Sequence, residues 1–343
     1  MEQLKKLCDA FGPSGFESEV RELIRSIVEP YADSVDVDKV GNLYVFKKGA
    51  EQANNLVLSA HMDEVGVMVT SIGEDGELLF ETLGGIDVSV MTGRRVLVGK
   101  NRVPGIISAK AIHMQSADER RRFTPRDKMY IQLGTLSREE TEKLVEVGDV
   151  GTFVPNFEPF GEGFVKSKAL DDRMGCAALM QIIIDGDLKY DTWFAFVTRE
   201  EIGCRGSAAA AYKLRPDIAI TAEATTASDI FGVPEASAVC HCGSGPAVSF
   251  ADTGTVYDIS LYSTILDTAK SNGIPCQPKA AVAGGNDASS YQRSAEPCYA
   301  AAVSVPTRYI HSACSVASIE DYNNTVKLLR AIAQEETIRK MRG

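Results

Sequence analysis

Leu56-Val57-Leu58-Ser59-Ala60-His61-Met62-Asp63-Glu64 carries a short apolar run straight into an imidazole and two carboxylates. An unbroken Leu-Val-Leu suits a strand covered on both faces, as in the sheet of an α/β protein. On an extended chain residues i and i+2 point to the same side, so Asp63 falls beside the ring of His61. A carboxylate placed there can hold one ring nitrogen while the other holds a metal. Taken alone, the pair reads equally well as an exposed polar turn.

Upstream, Leu4, Leu7, Cys8 and Phe11 recur with helical period, and Val20, Leu23, Ile24, Ile27 and Val28 do so again beyond the Gly12-Pro13-Ser14-Gly15 break. Val35 and Val37, then Leu43 and Val45 across Gly41-Asn42, predict a hairpin. From about Gly66 to Glu162 the texture is many short β-like stretches separated by Gly and polar turns, with one candidate helix near Ser137 to Val147. After Lys168 helix and strand alternate. Helices are expected over Met174 to Ile184, Ser207 to Lys213 and Tyr257 to Ser271, with strands over Trp193 to Val197, Ile218 to Ile220 and Cys298 to Val305. Ser318 and Asp321 make a capping box for a final helix. The pattern predicts an α/β sandwich interrupted by a β-rich insertion.

The 343 residues are 44% hydrophobic and 24% charged, a globular composition that argues against disorder. Lys and Arg number 36 against 47 Asp and Glu, a net charge of −11, which disfavours nucleic acid as partner. No run approaches the ~20 apolar residues of a membrane span. The first ten residues carry Glu2, Lys5, Lys6 and Asp9 and lack a secretory core. The eight cysteines are scattered without a CxxC pair, so reduced thiols in a cytoplasmic protein are expected.

Only four histidines are available, and two of them follow strands: His61, and His311 beyond Cys298 to Val305. Glu200-Glu201 follows the strand Trp193 to Val197, and Glu223 follows Ile218 to Ile220. Asp171-Asp172 stands at a strand–helix junction. Each is ordinary surface chemistry by itself. Together they place two imidazoles and several carboxylates at the strand ends where ligands of open α/β sheets gather. That set suits a pair of divalent cations of the zinc or cobalt kind, with a carboxylate left over for general base work.

His61-Met62-Asp63-Glu64-Val65-Gly66, Ala169-Leu170-Asp171-Asp172-Arg173, Thr198-Arg199-Glu200-Glu201-Ile202-Gly203-Cys204-Arg205-Gly206, Gly284-Gly285-Asn286-Asp287-Ala288 and Arg308-Tyr309-Ile310-His311-Ser312 resemble, in order and spacing, the M-42 peptidases. These are dinuclear metal aminopeptidases that include tetrahedral self-compartmentalising enzymes; some members are labelled glutamyl aminopeptidase and others endoglucanase M. The resemblance implies a three-layer α/β/α metallopeptidase domain of residues 1–66 and 163–343. It also implies an inserted barrel or PDZ-like dimerisation domain of residues 67–162. His61, Asp171 and Glu223 would hold one metal, and Asp171 would bridge to a second completed by Glu201 and His311. Asp63 would orient His61, Glu200 would be the general base, and Asn286, Asp287 and Arg308 would belong to the substrate pocket. A cis peptide at Asp171-Asp172 is also implied. The chain departs from the family pattern with Glu at 223 for Asp, Asn at 286 for Thr and Arg at 199 for Gln.

The expected activity is removal of N-terminal residues from peptides by a water activated between two Zn²⁺ or Co²⁺ ions, in a homo-oligomer of dimers assembling into a dodecamer. The competing readings are a related metal-dependent deacylase or carboxypeptidase, and a family member with weakened catalysis. A cellulase is disfavoured, because glycosidases need two carboxylates rather than a metal pair. A cysteine hydrolase built on Cys240-His241-Cys242 is the weakest reading, since catalytic partners usually meet through the fold.

Overall fold

The computed structural model describes residues 1–294 and 296–341. The chain opens with α1 (Glu2–Asp9) and α2 (Ser18–Val28), then β1 (Ser34–Val37), β2 (Leu43–Lys47) and β3 (Leu56–His61). Next come β4 (Gly66–Ile72), β5 (Leu78–Leu83), β6 (Arg95–Val98), β7 (Val103–Ala109), β8 (Met129–Gln132), α3 (Arg138–Thr141) and β9 (Val150–Phe153). After β10 (Glu158–Pro159) and β11 (Phe164–Ser167) follow α4 (Leu170–Asp185), β12 (Thr192–Val197), α5 (Arg205–Leu214) and β13 (Ile218–Thr226). The rest is β14 (Ala247–Val248), α6 (Ile259–Ser271), β15 (Gln277–Pro278), α7 (Ala288–Arg293), β16 (Tyr299–Arg308), β17 (Ser315–Ser318), α8 (Ile319–Gln334) and α9 (Glu336–Lys340).

Eleven strands form one mixed sheet whose main path runs β1-β2-β12-β3-β13-β16-β17-β11-β10. Its centre, β12-β3-β13-β16, is parallel. All six residues of β3 are buried, as the apolar run predicts. Leu56, Leu58 and Ala60 pack with Leu179, Ile183, Leu261 and Leu329 into the larger core. Val57 points the other way, into a cluster with Ala195, Ala210, Ala219 and Tyr291. Helices therefore cover both faces, α1, α2, α4, α6 and α8 on one side and α5 and α7 on the other. This is the expected three-layer sandwich.

Strands β4-β5-β8-β7-β6-β9 close into a barrel. Its own core includes Val67, Val69, Phe80, Val96, Ile107, Ile131 and Phe153. The β-rich stretch is thus a closed barrel rather than an open PDZ-like sheet.

Three sequence expectations need adjustment. The helix expected over Ser137 to Val147 is only α3. Ser137 caps it by accepting from the Glu140 N–H at 3.3 Å, but the chain turns at Glu146, whose N–H donates to Asp149 at 3.0 Å. Glu223 does not follow its strand; it lies inside β13, which continues to Thr226 because its nine residues pair in register with β16. The capping box of α8 is half made. Ser318 accepts from the Asp321 N–H at 3.3 Å, while the Asp321 carboxylate accepts instead from Gly243 N and Gly245 N at 2.6 and 2.7 Å.

Candidate metal centre

The carboxyl end of β3 delivers His61 and Asp63. The ring Nδ1 of His61 lies 3.1 Å from the Asp63 carbonyl oxygen and 3.4 Å from its Oδ1. A carbonyl can only accept, so Nδ1 carries a proton, and Nε2 is the ring nitrogen turned to the cavity. Asp63 also organises the neighbouring loop. Its Oδ1 accepts from Glu200 N at 3.0 Å, and its Oδ2 accepts from Glu201 N at 3.1 Å and from the Ser14 hydroxyl. One buried carboxylate thus joins two strand ends and the turn between α1 and α2.

Asp171 and Asp172 stand at the entry of α4, where the backbone is not yet helical and the peptide between them is cis. The Asp171 carboxylate lies between two imidazoles. Its Oδ1 is 3.2 Å from His61 Nε2, and its Oδ2 is 3.4 Å from His311 Nε2. Glu223 Oε2 is 3.7 Å from His61 Nε2, and Glu201 Oε2 is 3.3 Å from His311 Nε2. His311 is aimed by the barrel: its Nδ1 donates to the carbonyl of Gly85, just beyond β5, at 3.0 Å. Gly84 has φ +86°, and a Cβ there would press on Val65 and the Glu201 side chain, so glycine lets this turn approach the centre.

Asp172 is also close enough to group with His61 and Glu223, as Asp171 groups with Glu201 and His311. The carboxylate of Asp172 is otherwise engaged, accepting from Gly175 N at 3.0 Å and His61 N at 3.3 Å. Asp171 instead turns one oxygen to each of the two rings.

The electrostatics call for cations. Burial, then neighbouring carboxylates, pushes Glu223 and Glu200 well above the ordinary carboxylate range, against the pull of His61. The same causes lift Glu201 to about 8, against the pull of His311. Glu223 Oε1 is buried with no hydrogen-bond partner among the described residues. Buried carboxylates left so are costly unless a cation joins them. For His311 burial acts downward, but Asp171 and Glu201 outweigh it and raise the ring to about 9. The donor set of two imidazoles and hard oxygens fits divalent cations of the zinc kind.

These groups line a cavity of about 410 Å³ together with Glu200, Lys279, Asn286 and Ile310. Glu200 Oε2 is 4.0 Å from His61 Nε2, and the Cys204 thiol donates to Glu200 Oε1 at 3.5 Å. Asn286 lines the cavity, held by the Asp252 carboxylate and the Tyr257 hydroxyl, each 3.0 Å from its Nδ2. Two residues expected at the pocket do not line this cavity. Asp287 is fully buried behind the cavity wall, where it accepts from Ser207. Arg308 is turned away: Nε and Nη2 grip the two Asp229 oxygens at 2.8 Å each, and its guanidinium lies over Phe164.

Cys240 and Cys242 donate to backbone carbonyls of Thr226 and Pro306, and His241 pairs with Glu235, so that triplet assembles no nucleophile–base pair. Sequence reasoning missed Ser14, Glu17 and Gly85. Glu17 accepts from Arg199 N at 3.1 Å and so holds the base of the Glu200 loop. Only the Gly-Pro-Ser-Gly break hinted at Ser14, and nothing local marks a carbonyl such as that of Gly85.

An α/β/α sandwich with a buried imidazole–carboxylate cluster at the ends of its parallel strands defines a metal-dependent hydrolase. Residues 41–328 match the family model described as M42 glutamyl aminopeptidase. A putative aminopeptidase of Acetivibrio thermocellus is 38% identical over 95% of this chain and 96% of its own. The TET aminopeptidase of Thaumarchaeota archaeon SCGC AB-539-E09 superposes with a TM-score of 0.94 at 34% identity, covering 98% of this chain and 97% of that one. The Pyrococcus horikoshii TET1 peptidase, described as assembling into a tetrahedron or a large octahedral shell, gives 0.86 at 32% identity, covering 97% and 99%. The chain belongs to this family of metal-dependent aminopeptidases, hydrolases acting on peptide bonds.

Proposed function

We propose that this protein removes N-terminal residues from peptides at a dinuclear centre, with Glu200 as general base. The observation that carries the reading is the Asp171 carboxylate, which turns one oxygen to each of two imidazoles. His61, Asp171 and Glu223 would hold one divalent cation, and Asp171, Glu201 and His311 the other, Zn²⁺ or Co²⁺. When bound, such ions supply Lewis acidity for activating water and polarising the scissile carbonyl. Glu200 accepts the proton of the attacking water at Oε2 and passes it to the leaving amine. Asp63 positions the Glu200 and Glu201 backbone and the His61 ring. The leaving chain would extend past His311 into an adjoining cavity of about 280 Å³ that shares Gly85, Ile310 and His311 with the first.

The catalytic unit would be residues 1–66 and 163–343, with residues 67–162 serving dimerisation. Exposed Ile106, Ile112, Met114 and Phe123 on the inserted segment support an interface there. Dimers would build the kind of shell described for the Pyrococcus horikoshii relative. The eight free cysteines suit a reducing, cytoplasmic setting.

The test is elemental analysis joined to turnover. Protein dialysed against chelator and reloaded with Zn²⁺ or Co²⁺ should bind two ions per chain. It should release the first residue of peptides with a free amine and spare acetylated ones. One ion per chain, or equal cleavage of acetylated peptides, overturns the proposal.

A further inference from the structure

The side chain of Glu200 is long, and little holds it. Asp63 fixes its backbone, but among the described residues only the Cys204 thiol donates to its carboxylate, at 3.5 Å to Oε1. The other oxygen, Oε2, is left to face His61 Nε2 at 4.0 Å. Without an anchor a glutamate side chain keeps its rotamer freedom, and ordering it then costs entropy at every turnover. Cys204 is the only cysteine among the described residues lining the catalytic cavity.

The thiol is itself held in place. Cys204 precedes α5 with φ +53°, a backbone region that suits glycine and costs a residue with a Cβ. Its N–H donates to the Glu200 carbonyl at 2.9 Å, and its own carbonyl accepts from the Ser290 hydroxyl of α7 at 3.2 Å. Behind the cavity wall stands Asp287, fully buried. Its Oδ1 takes the Ser207 hydroxyl, and its Oδ2 has no hydrogen-bond partner among the described residues. The thiol lies beside that carboxylate as well as beside Glu200. Burial, then Asp287 and Glu200, push its pKa up, so it stays S–H and serves as a donor.

We infer that Cys204 is a positioning residue for the base: seated against the buried Asp287, its thiol holds Glu200 Oε1 so that Oε2 is turned to the metal centre. The inference rests on Glu200 being the general base. It also gives Asp287 a task without contact to substrate, as the buried support behind the thiol.

The test uses the metal-loaded full chain. Cys204→Ala should lower kcat roughly 5- to 50-fold, the range for losing one hydrogen bond and the alignment it secures, with KM and two ions per chain retained. Cys204→Ser keeps a donor and should recover most of the rate. Cys204→Gly, at ease with the positive φ, should lower kcat as Ala does while keeping or raising the unfolding midpoint, which a merely structural role would not do. It also carries the comparison if Cys204→Ala does not fold. In crystals of Cys204→Ala the Glu200 carboxylate should occupy more than one rotamer. Added to Glu200→Gln, Cys204→Ala should cost nothing further, because it acts through that side chain. An unchanged kcat in Cys204→Ala overturns the inference, as does a Ser variant as slow as Ala or a full further loss in the Glu200→Gln background. Failure of the general-base reading shows differently: Glu200→Gln alone then turns over at a near-normal rate.

Discussion

Glu200 is placed by its backbone before its side chain takes part in any reaction. Its N–H donates to Asp63 Oδ1 at 3.0 Å, and Arg199, with φ +59°, donates its own N–H to Glu17. The carboxylate is then left facing His61 with a thiol as its hydrogen-bond neighbour. Glu200→Gln keeps the shape and the backbone contacts but cannot accept a proton. Its kcat should fall by about 10²–10⁴-fold, the usual worth of a general base, with both metal ions retained. Elemental analysis beside steady-state kinetics checks this; near-normal turnover would remove Glu200 from that role. At this scale the sequence was a good guide to residue type. Two histidines and a handful of acids after strands are enough to suspect metal chemistry. It was a poor guide to direction. Arg308 and Asp287 lie in motifs next to pocket residues, yet one turns to Asp229 and the other into the core. Neighbours along a chain diverge by side-chain geometry that only packing decides.

Among the elements, β3 and α4 are locked together by charge. Glu64, three residues beyond the buried strand, accepts from Lys168 Nζ at 2.6 and 2.7 Å and from Arg173 Nη2 at 3.2 Å, all three side chains being almost fully buried. Arg173 also donates to the Leu7 carbonyl of α1. This network holds the entry of α4, where Asp171 sits, against the strand end that carries His61. Glu64→Ala would strand two buried cations, and removing one partner of a buried ion network typically costs about 3–5 kcal/mol. The variant should lose that much in urea-unfolding midpoint analysis and should bind metal more weakly. Unchanged stability would show the network to be dispensable. The helices and strands themselves were largely legible from periodicity. Their ends were not, because β13 runs on past Glu223 by pairing with β16, a partner more than seventy residues away.

The whole molecule joins a sandwich that carries the acids to a barrel that aims one of the imidazoles. Because His311 hangs on the Gly85 carbonyl, the barrel is part of the centre as well as a candidate interface. Exposed Met114 and Phe123 belong to the proposed contact surface. Native mass spectrometry of the 37.0 kDa chain should show a dodecamer, and Met114→Ser with Phe123→Ser should shift it toward smaller species. A 37.0 kDa species alone for the unaltered protein would reject the assembly. The sequence by itself determined the layered α/β architecture, the β-rich interruption and the inventory of imidazoles and carboxylates. Those follow from hydrophobic period, turn chemistry and residue type, which are local. Tertiary structure decided that Asp171 stands between His61 and His311, that Asp63 gathers Ser14, Glu200 and Glu201, and that Lys279 faces the cavity. Convergence of that kind is set by the packing of distant segments around shared cores, and no stretch of chain encodes it alone.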